Sequence, residues 1–205
     1  MNSSKTFTAV IAAAGLSSRM GAFKPTLPLG NDSISRRLIL AFIRAGSLPV
    51  TVVTGFMAET LGEHLKDLPV RLVHNKNYET SHMFDSLSLG LRSLTAANPA
   101  LPDKIFLCPA DMPLISPETI SLMAGQESGV IIPVCEGRKG HPVCISKALV
   151  PALLSHDGTD GLRGALKPFS SEIFHLPVDD AGILTDADTM EDYRKIWELF
   201  GEVDS

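Results

Sequence analysis

Two cations and one acid hold the positions from which this chain could do chemistry. Arg19 and Lys24 stand in a glycine-rich stretch, GLSSRMGAFK, directly after the apolar run VIAAA, and Asp111 directly follows a second apolar run, KIFLCPA. Small residues let backbone N–H groups come close to a phosphate, and the two cations supply the charge that a polyphosphate requires. An acid just beyond an apolar strand sits at the carboxyl edge of a parallel sheet, where open α/β folds bind ligands. Magnesium takes one or two carboxylates together with phosphate oxygens and waters, so Asp111 is a candidate ligand without a full protein cage. The plainer alternatives are two solvated surface cations and an acid that shapes the Asp-Met-Pro turn.

Two familiar phosphate loops are excluded. Lys24 stands three positions beyond Gly21 and precedes Pro25, so the stretch is not a P-loop, and no G-x-G-x-x-G follows the first strand. At 205 residues the chain has the length of one large α/β domain, 1–205, and its 44% hydrophobic and 20% charged content excludes disorder. A net charge of -5 argues against nucleic acid as a partner, because that would need a broad basic field. Three cysteines without C-x-x-C spacing indicate neither a disulfide framework nor a zinc site. With no leader and no apolar run of about 18 residues, the expectation is a cytoplasmic protein that does not span a membrane.

The elements that must position these residues alternate. An opening strand ends near Gly15. Ser33 caps a helix carrying Ile34, Leu38, Ile39, Phe42 and Ile43 at helical spacing, and PVTVVTG then reads as a buried strand. A weaker helix spans about Ala58 to Lys66, followed by a strand at Val70 to Asn75. Leu87, Leu91 and Leu94 predict a helix from about Phe84. Lys104 to Asp111 is a strand, Pro117 to Ala124 a helix with proline at its start, and Gly129 to Val134 another strand. Ile173 to Val178 is the last strand. In the terminal helix, Met190, Tyr193, Trp197 and Phe200 form an apolar stripe expected to pack on the core. Strand–helix alternation implies a mostly parallel sheet with right-handed crossovers and helices on both faces, a Rossmann-like three-layer α/β sandwich.

The opening stretch resembles, over eleven ordered positions, the pattern A-A-G-x-S-x-R-M-G-x-x-K-x-L-P-x-G of the molybdenum cofactor nucleotidyltransferases. It is met at Ala13, Ala14, Gly15, Ser17, Arg19, Met20, Gly21, Lys24, Leu27, Pro28 and Gly30. The form AAAGLSSRMG is closer to the cytidylyltransferase branch than to the guanylyltransferase branch. The segment at Met83, Ser86, Leu87, Gly90 and Leu91 is similar to that family's nucleotide-side G-M-S-S-S-L-x-x-G-L, but His82, Phe84 and Asp85 depart from it. Asp85 is read either as a helix cap or as a nucleotide contact. An intact G-x-x-G-H-P-V at Gly137, Gly140, His141, Pro142 and Val143 matches the acceptor side. Asp160, Gly161, Arg163 and Leu166 keep the outline of G-D-x-G-x-R-x-L; Arg163 either meets an acceptor phosphate or pairs with Asp160. The terminal D-x-D-T-P-E-D motif stands at Asp186, Asp188, Thr189, Met190, Glu191 and Asp192, with Met190 in place of proline.

This resemblance implies the nucleotide-diphospho-sugar transferase type of fold and a magnesium-dependent nucleotidyltransferase. Nucleotide binding falls to Ala13, Ala14, Gly15, Ser17, Ser18, Arg19, Gly21, Lys24 and Ser86, with Arg19, Lys24 and Asp111 catalytic. Acceptor binding falls to Gly140, His141 and Arg163. The second metal carboxylate is Asp186 or Asp188, some of these acids otherwise serving only to start the helix. CTP is the implied donor and molybdopterin the implied acceptor, with a molybdoenzyme or chaperone as a transient partner. Related transferases acting on sugar phosphates or isoprenoid-precursor alcohols are the enzymatic alternative, and a non-catalytic nucleotide or cofactor binder is the alternative of another class.

Overall fold

The computed structural model describes residues 5–16, 21–97 and 100–203. In chain order the elements are β1 (Phe7–Ala13), β2 (Pro28–Leu29), β3 (Asp32–Ser33), α1 (Ile34–Arg44), β4 (Val50–Thr54), α2 (Ala58–Leu65), β5 (Val70–His74) and α3 (Met83–Ala97). There follow β6 (Lys104–Pro109), α4 (Pro117–Ala124), β7 (Val130–Cys135), β8 (Arg138–Lys139), β9 (Val143–Ser146), α5 (Val150–Ser155), α6 (Gly161–Leu166), β10 (Ile173–Pro177) and α7 (Met190–Val203).

The period-two alternation of β1 explains the layering. Phe7, Ala9, Ile11 and Ala13 face one core with Leu38 and Phe42 of α1, Leu61 of α2 and Ile120 of α4. Val10 faces the other, with Val53 of β4, Leu87 and Leu91 of α3, and Leu153 of α5. A sheet apolar on both faces needs a helical layer on each side, so the three-layer sandwich expected from the sequence is the fold observed. The fully buried leucines and isoleucines of these layers each contribute about 1.5–3 kcal/mol. Local signals agree with the packing. The Ser33 hydroxyl accepts from the Arg36 N–H at the start of α1, and Ser116 caps α4 by accepting from Thr119, with Pro117 in its first turn.

The main sheet runs β10-β7-β9-β6-β1-β4-β5, with β8 hanging from β7. The pairs β1–β4, β1–β6, β4–β5 and β7–β10 are parallel, whereas β9 is antiparallel to both β6 and β7. Strand β9 and helix α5 were not anticipated. Residues 143–146 are only four long, too few to show a period, and their identity as a strand comes from neighbours distant in sequence.

One packing expectation is corrected. Met190 and Trp197 are each 41% exposed, and the buried stripe of α7 is instead Ile196 and Phe200, with Tyr193 beside them, against Leu29 and Ile34. Tyr193, Ile196 and Phe200 lie at i, i+3 and i+7, so Met190 and Trp197 fall on the flank of that stripe. Trp197 keeps one edge-on contact with Phe200, the ring centroids 5.9 Å apart. The three cysteines are free and buried, and no helix of the described residues is long and apolar enough to cross a membrane.

Candidate active site

Parallel pairing brings the carboxyl ends of β1, β4 and β6 level. Ala13 pairs with Thr54 and Ala12 with Pro109, so Gly15 and Asp111 leave the sheet from adjacent strands. Backbone bonds continue the alignment past the strands, the Ala110 N–H donating to the Ala12 carbonyl and the Phe56 N–H to the Ala14 carbonyl. Together with the start of α3 these ends form a cleft lined by Ala12 to Gly15, Lys24, Pro25, Tyr78, Ser81 to Met83, Ser86 and Pro109 to Asp111. Its lining combines apolar residues such as Ala12, Ala13, Pro109 and Ala110 with a few polar groups, Lys24, Ser81, Ser86 and Asp111 among them.

Lys24 sits at the rim in a short 3-10 turn, Lys24–Thr26, and its Nζ lies 2.7 Å from Asp188 Oδ1 and 3.3 Å from Asp111 Oδ2. Residues from three remote parts of the chain therefore converge on one point. The Asp186–Asp188 segment is held there by the Ala187 N–H, which donates to the Asp111 carbonyl oxygen at 3.0 Å. Thr189 and Asp192 bond reciprocally at the start of α7, so Asp192 acts as the cap that the sequence allowed, while Asp186 and Asp188 lie outside the cap itself. The Tyr193 hydroxyl donates to the Pro28 carbonyl, tying α7 to the end of the opening loop.

The Asp186 carboxyl is held above its ordinary value by partial desolvation, then by the neighbouring Asp111 and Asp188 carboxylates. That excess negative charge, with Asp111 and Asp188 converging on one ammonium, is a donor set of hard oxygens that suits a small divalent cation. Among the described residues no group of three or more His, Cys, Asp or Glu is placed so that it could hold a metal ion. An open pair of carboxylates is what magnesium needs when phosphates and waters fill its other positions.

His141, expected to bind the acceptor, lies outside the lining of the cleft. Burial pushes its imidazole below the ordinary value, the Asp111 and Asp186 carboxylates opposing that shift, and its Nδ1 has no hydrogen-bond partner among the described residues. A close backbone approach fixes this segment. The His141 N–H donates to the Ile183 carbonyl at 2.9 Å, and a Cβ on Gly140 would stand 2.3 Å from that oxygen. The reversed direction of β9 explains the placement, since its first residue, Val143, pairs with Leu107 near the carboxyl end of β6.

The other expected residues divide. Ala13, Ala14, Gly15, Lys24, Asp111 and Ser86 line the cleft, and Gly21 adopts the left-handed φ of +63° at the return of the loop. Ser17, Ser18 and Arg19 lie outside the described residues. Arg163 is exposed on α6, outside the cleft lining, and among the described residues no Asp160–Arg163 ion pair is present. Asp85 accepts from the His82 N–H at 2.7 Å, which is the helix-capping alternative.

Two residues of the site were not singled out from the sequence. Asn75 ends β5 much as Asp111 ends β6, and the same rule about carboxyl edges would have found it. Gly55 follows β4, and a Cβ there would stand 2.5 Å from Tyr78 Cβ and 2.6 Å from the Ala14 carbonyl oxygen. Only glycine lets those two walls of the cleft meet behind β4.

A model of the MobA-like NTP transferase domain matches residues 9–175. Among curated proteins, the molybdenum cofactor cytidylyltransferase of Escherichia coli (strain K12) is 28% identical over 197 residues, spanning 95% of this chain and 97% of that protein. A nucleotidyl transferase from Methanothermobacter superposes with a TM-score of 0.81 at 24% identity, covering 97% of this chain and 99% of the other. Rv0371c from Mycobacterium tuberculosis H37Rv gives 0.82 at 23% identity, covering 96% and 99%.

Proposed function

Because the chain belongs to the MobA-like NTP transferase family, a family of nucleotidyltransferases, we propose that it transfers CMP from CTP to a molybdopterin-type acceptor and releases pyrophosphate. The observation that carries this reading is Lys24, held between Asp111 and Asp188 at the mouth of a cleft whose wall is the backbone of Ala13 to Gly15. The choice of CTP and molybdopterin rests on likeness to the E. coli cytidylyltransferase along nearly the whole chain.

In the reaction a phosphate oxygen of the acceptor forms a bond to the α-phosphorus, and the bond from that phosphorus to the bridging oxygen of pyrophosphate breaks. Such a transfer asks for positioning and charge neutralisation, and for no protein nucleophile. The ammonium of Lys24, with the guanidinium of Arg19, stabilises charge building on the α-phosphoryl and leaving groups. The backbone N–H groups of Ala14 and Gly15, in the cleft wall, would be offered to the phosphates. Asp111 with Asp186 or Asp188 would hold a magnesium ion, which would supply positive charge to offset that of the triphosphate. Gly140 and His141 border the acceptor, the imidazole staying neutral through burial and so offering a hydrogen bond without adding charge.

Incubation with each of the four ribonucleoside triphosphates, magnesium and molybdopterin, followed by pyrophosphate release, tests the proposal. Release with CTP above the others is expected. Preference for GTP would overturn the choice of base, and no release with any triphosphate would favour a binding role without turnover.

A further inference from the structure

The cleft wall opposite the opening loop is organised by a side chain that stands behind it. Asn75 is 6% exposed, and its backbone N–H is already bound to the Thr54 carbonyl at 2.8 Å. Its Oδ1 accepts from the Asn77 N–H at 3.0 Å, and its Nδ2 donates to Ser81 Oγ at 2.8 Å and to Ser86 Oγ at 3.1 Å. Both serines line the cleft. The orientation of the amide follows from chemistry, because the Asn77 N–H is an obligatory donor and demands the oxygen. The two N–H bonds of the amide nitrogen are therefore the ones that reach the serines.

A hydroxyl that accepts a hydrogen bond from behind keeps its own hydrogen to donate in front. Ser86 is 3% exposed, and no bond from its hydroxyl to a protein acceptor competes for that hydrogen among the described residues. We propose that Asn75 is a positioning residue for base selection: by donating to Ser81 and Ser86 it makes both hydroxyls donors toward the cleft, favouring a pyrimidine whose edge presents acceptors. Cytosine offers two neighbouring acceptors, O2 and N3, whereas uracil carries a hydrogen on N3. This inference rests on the cytidylyltransferase reading and says how this chain would express it.

Asn75→Asp inverts the polarity while keeping the shape. A carboxylate accepts where the amide donated, so the serine hydroxyls turn their hydrogens back toward residue 75. The added charge repels all triphosphates alike, which leaves the CTP-to-UTP ratio as the diagnostic quantity. Binding of CTP and of UTP with magnesium is measured by calorimetry, and KM and kcat by pyrophosphate release, with the thermal midpoint recorded for each variant. The expected result is a ratio reduced about tenfold, the size of one lost hydrogen bond, through KM with kcat nearly kept. Adding Asn75→Asp to a Ser81→Ala/Ser86→Ala protein should then leave the ratio unchanged, because the carriers are already gone.

A folded Asn75→Asp protein that keeps the wild-type ratio overturns the role of Asn75 and leaves the cytidylyl reading standing. Should that variant unfold, the Ser81→Ala/Ser86→Ala protein decides: retention of the wild-type ratio overturns the proposal, and its loss supports it. A wild-type protein without CTP preference overturns the cytidylyl reading, and the role of Asn75 with it.

Discussion

The Ala187 N–H donates to the carbonyl oxygen of Asp111 at 3.0 Å, so the two acidic segments, 76 positions apart by their numbers, are joined by one backbone bond. Lys24 links the same segments through side chains. The positions of the acids thus depend on main-chain geometry, and substitution of a single carboxylate should leave the frame in place.

Lys24→Ala should lower kcat by about 10²–10³, the range for removal of one donor that stabilises developing charge. Asp111→Asn keeps the shape and the Ala187 bond while removing a candidate metal oxygen, and should lower activity similarly. Steady-state pyrophosphate release alongside thermal melting checks both. Normal activity in either folded variant would remove that residue from the catalytic assignment.

Gly55→Ala places a methyl group against the Ala14 carbonyl and Tyr78 Cβ, both belonging to constrained walls. We expect a loss of about 1–3 kcal/mol in stability from overpacking, together with a raised KM for the triphosphate because the Ala14 backbone must shift. Urea denaturation and nucleotide titration separate the two effects. A raised KM at unchanged stability would indicate that Tyr78, rather than the strand ends, yields.

On α7, Ile196→Ala should cost about 2–5 kcal/mol, since the side chain is fully buried. Trp197→Ala, on the exposed flank, should cost about 1 kcal/mol, the scale of an aromatic pair. The reverse ranking in chemical denaturation would show that the helix packs through the other face.

Asp103 accepts from Lys147 Nζ at 2.8 Å and from the N–H and hydroxyl of Thr6. These bonds, that of Lys147 first, hold its carboxyl down at about 2, below the ordinary 3.8. A carboxyl depressed in the folded state contributes stability above its unfolded value, and that contribution disappears as pH falls from about 4 toward 2. Asp103→Asn should therefore be less stable than wild type at neutral pH, the gap narrowing over that interval. A gap constant from pH 7 to pH 2 in urea midpoints would contradict the assignment.

How much was legible differed between elements for physical reasons. Helix α1 declared itself through Ser33 and a regular apolar spacing, and α4 through Pro117, because caps and periods are local properties. Strand β9 and the antiparallel pairing around it depend on β6 and β7, and four residues carry no period of their own. In α7 the apolar residues outnumber the positions that can face Leu29 and Ile34, so spacing alone assigned Met190 and Trp197 to the buried stripe. The glycine-rich loop and Asp111 were visible as residue types at strand ends. Asn75 stands at a strand end by the same rule, but as an uncharged residue that bonds to two serines it gives no residue-type signal of chemistry.

The reversed strand β9 separates two kinds of tolerance to change. The β7–β8 hairpin turns through Glu136 and Gly137, both at positive φ and exposed, before the chain re-enters the sheet at Val143. Extra residues spliced into that tip would extend away from the sheet while the His141 N–H stays bonded to the Ile183 carbonyl. The parallel strands β1 and β6 offer no comparable tip, because each leads directly into the cleft. The fold thereby has room for a longer chain at the Glu136–Gly137 tip, beside the Gly140–Val143 segment, and none at the ends of β1 and β6.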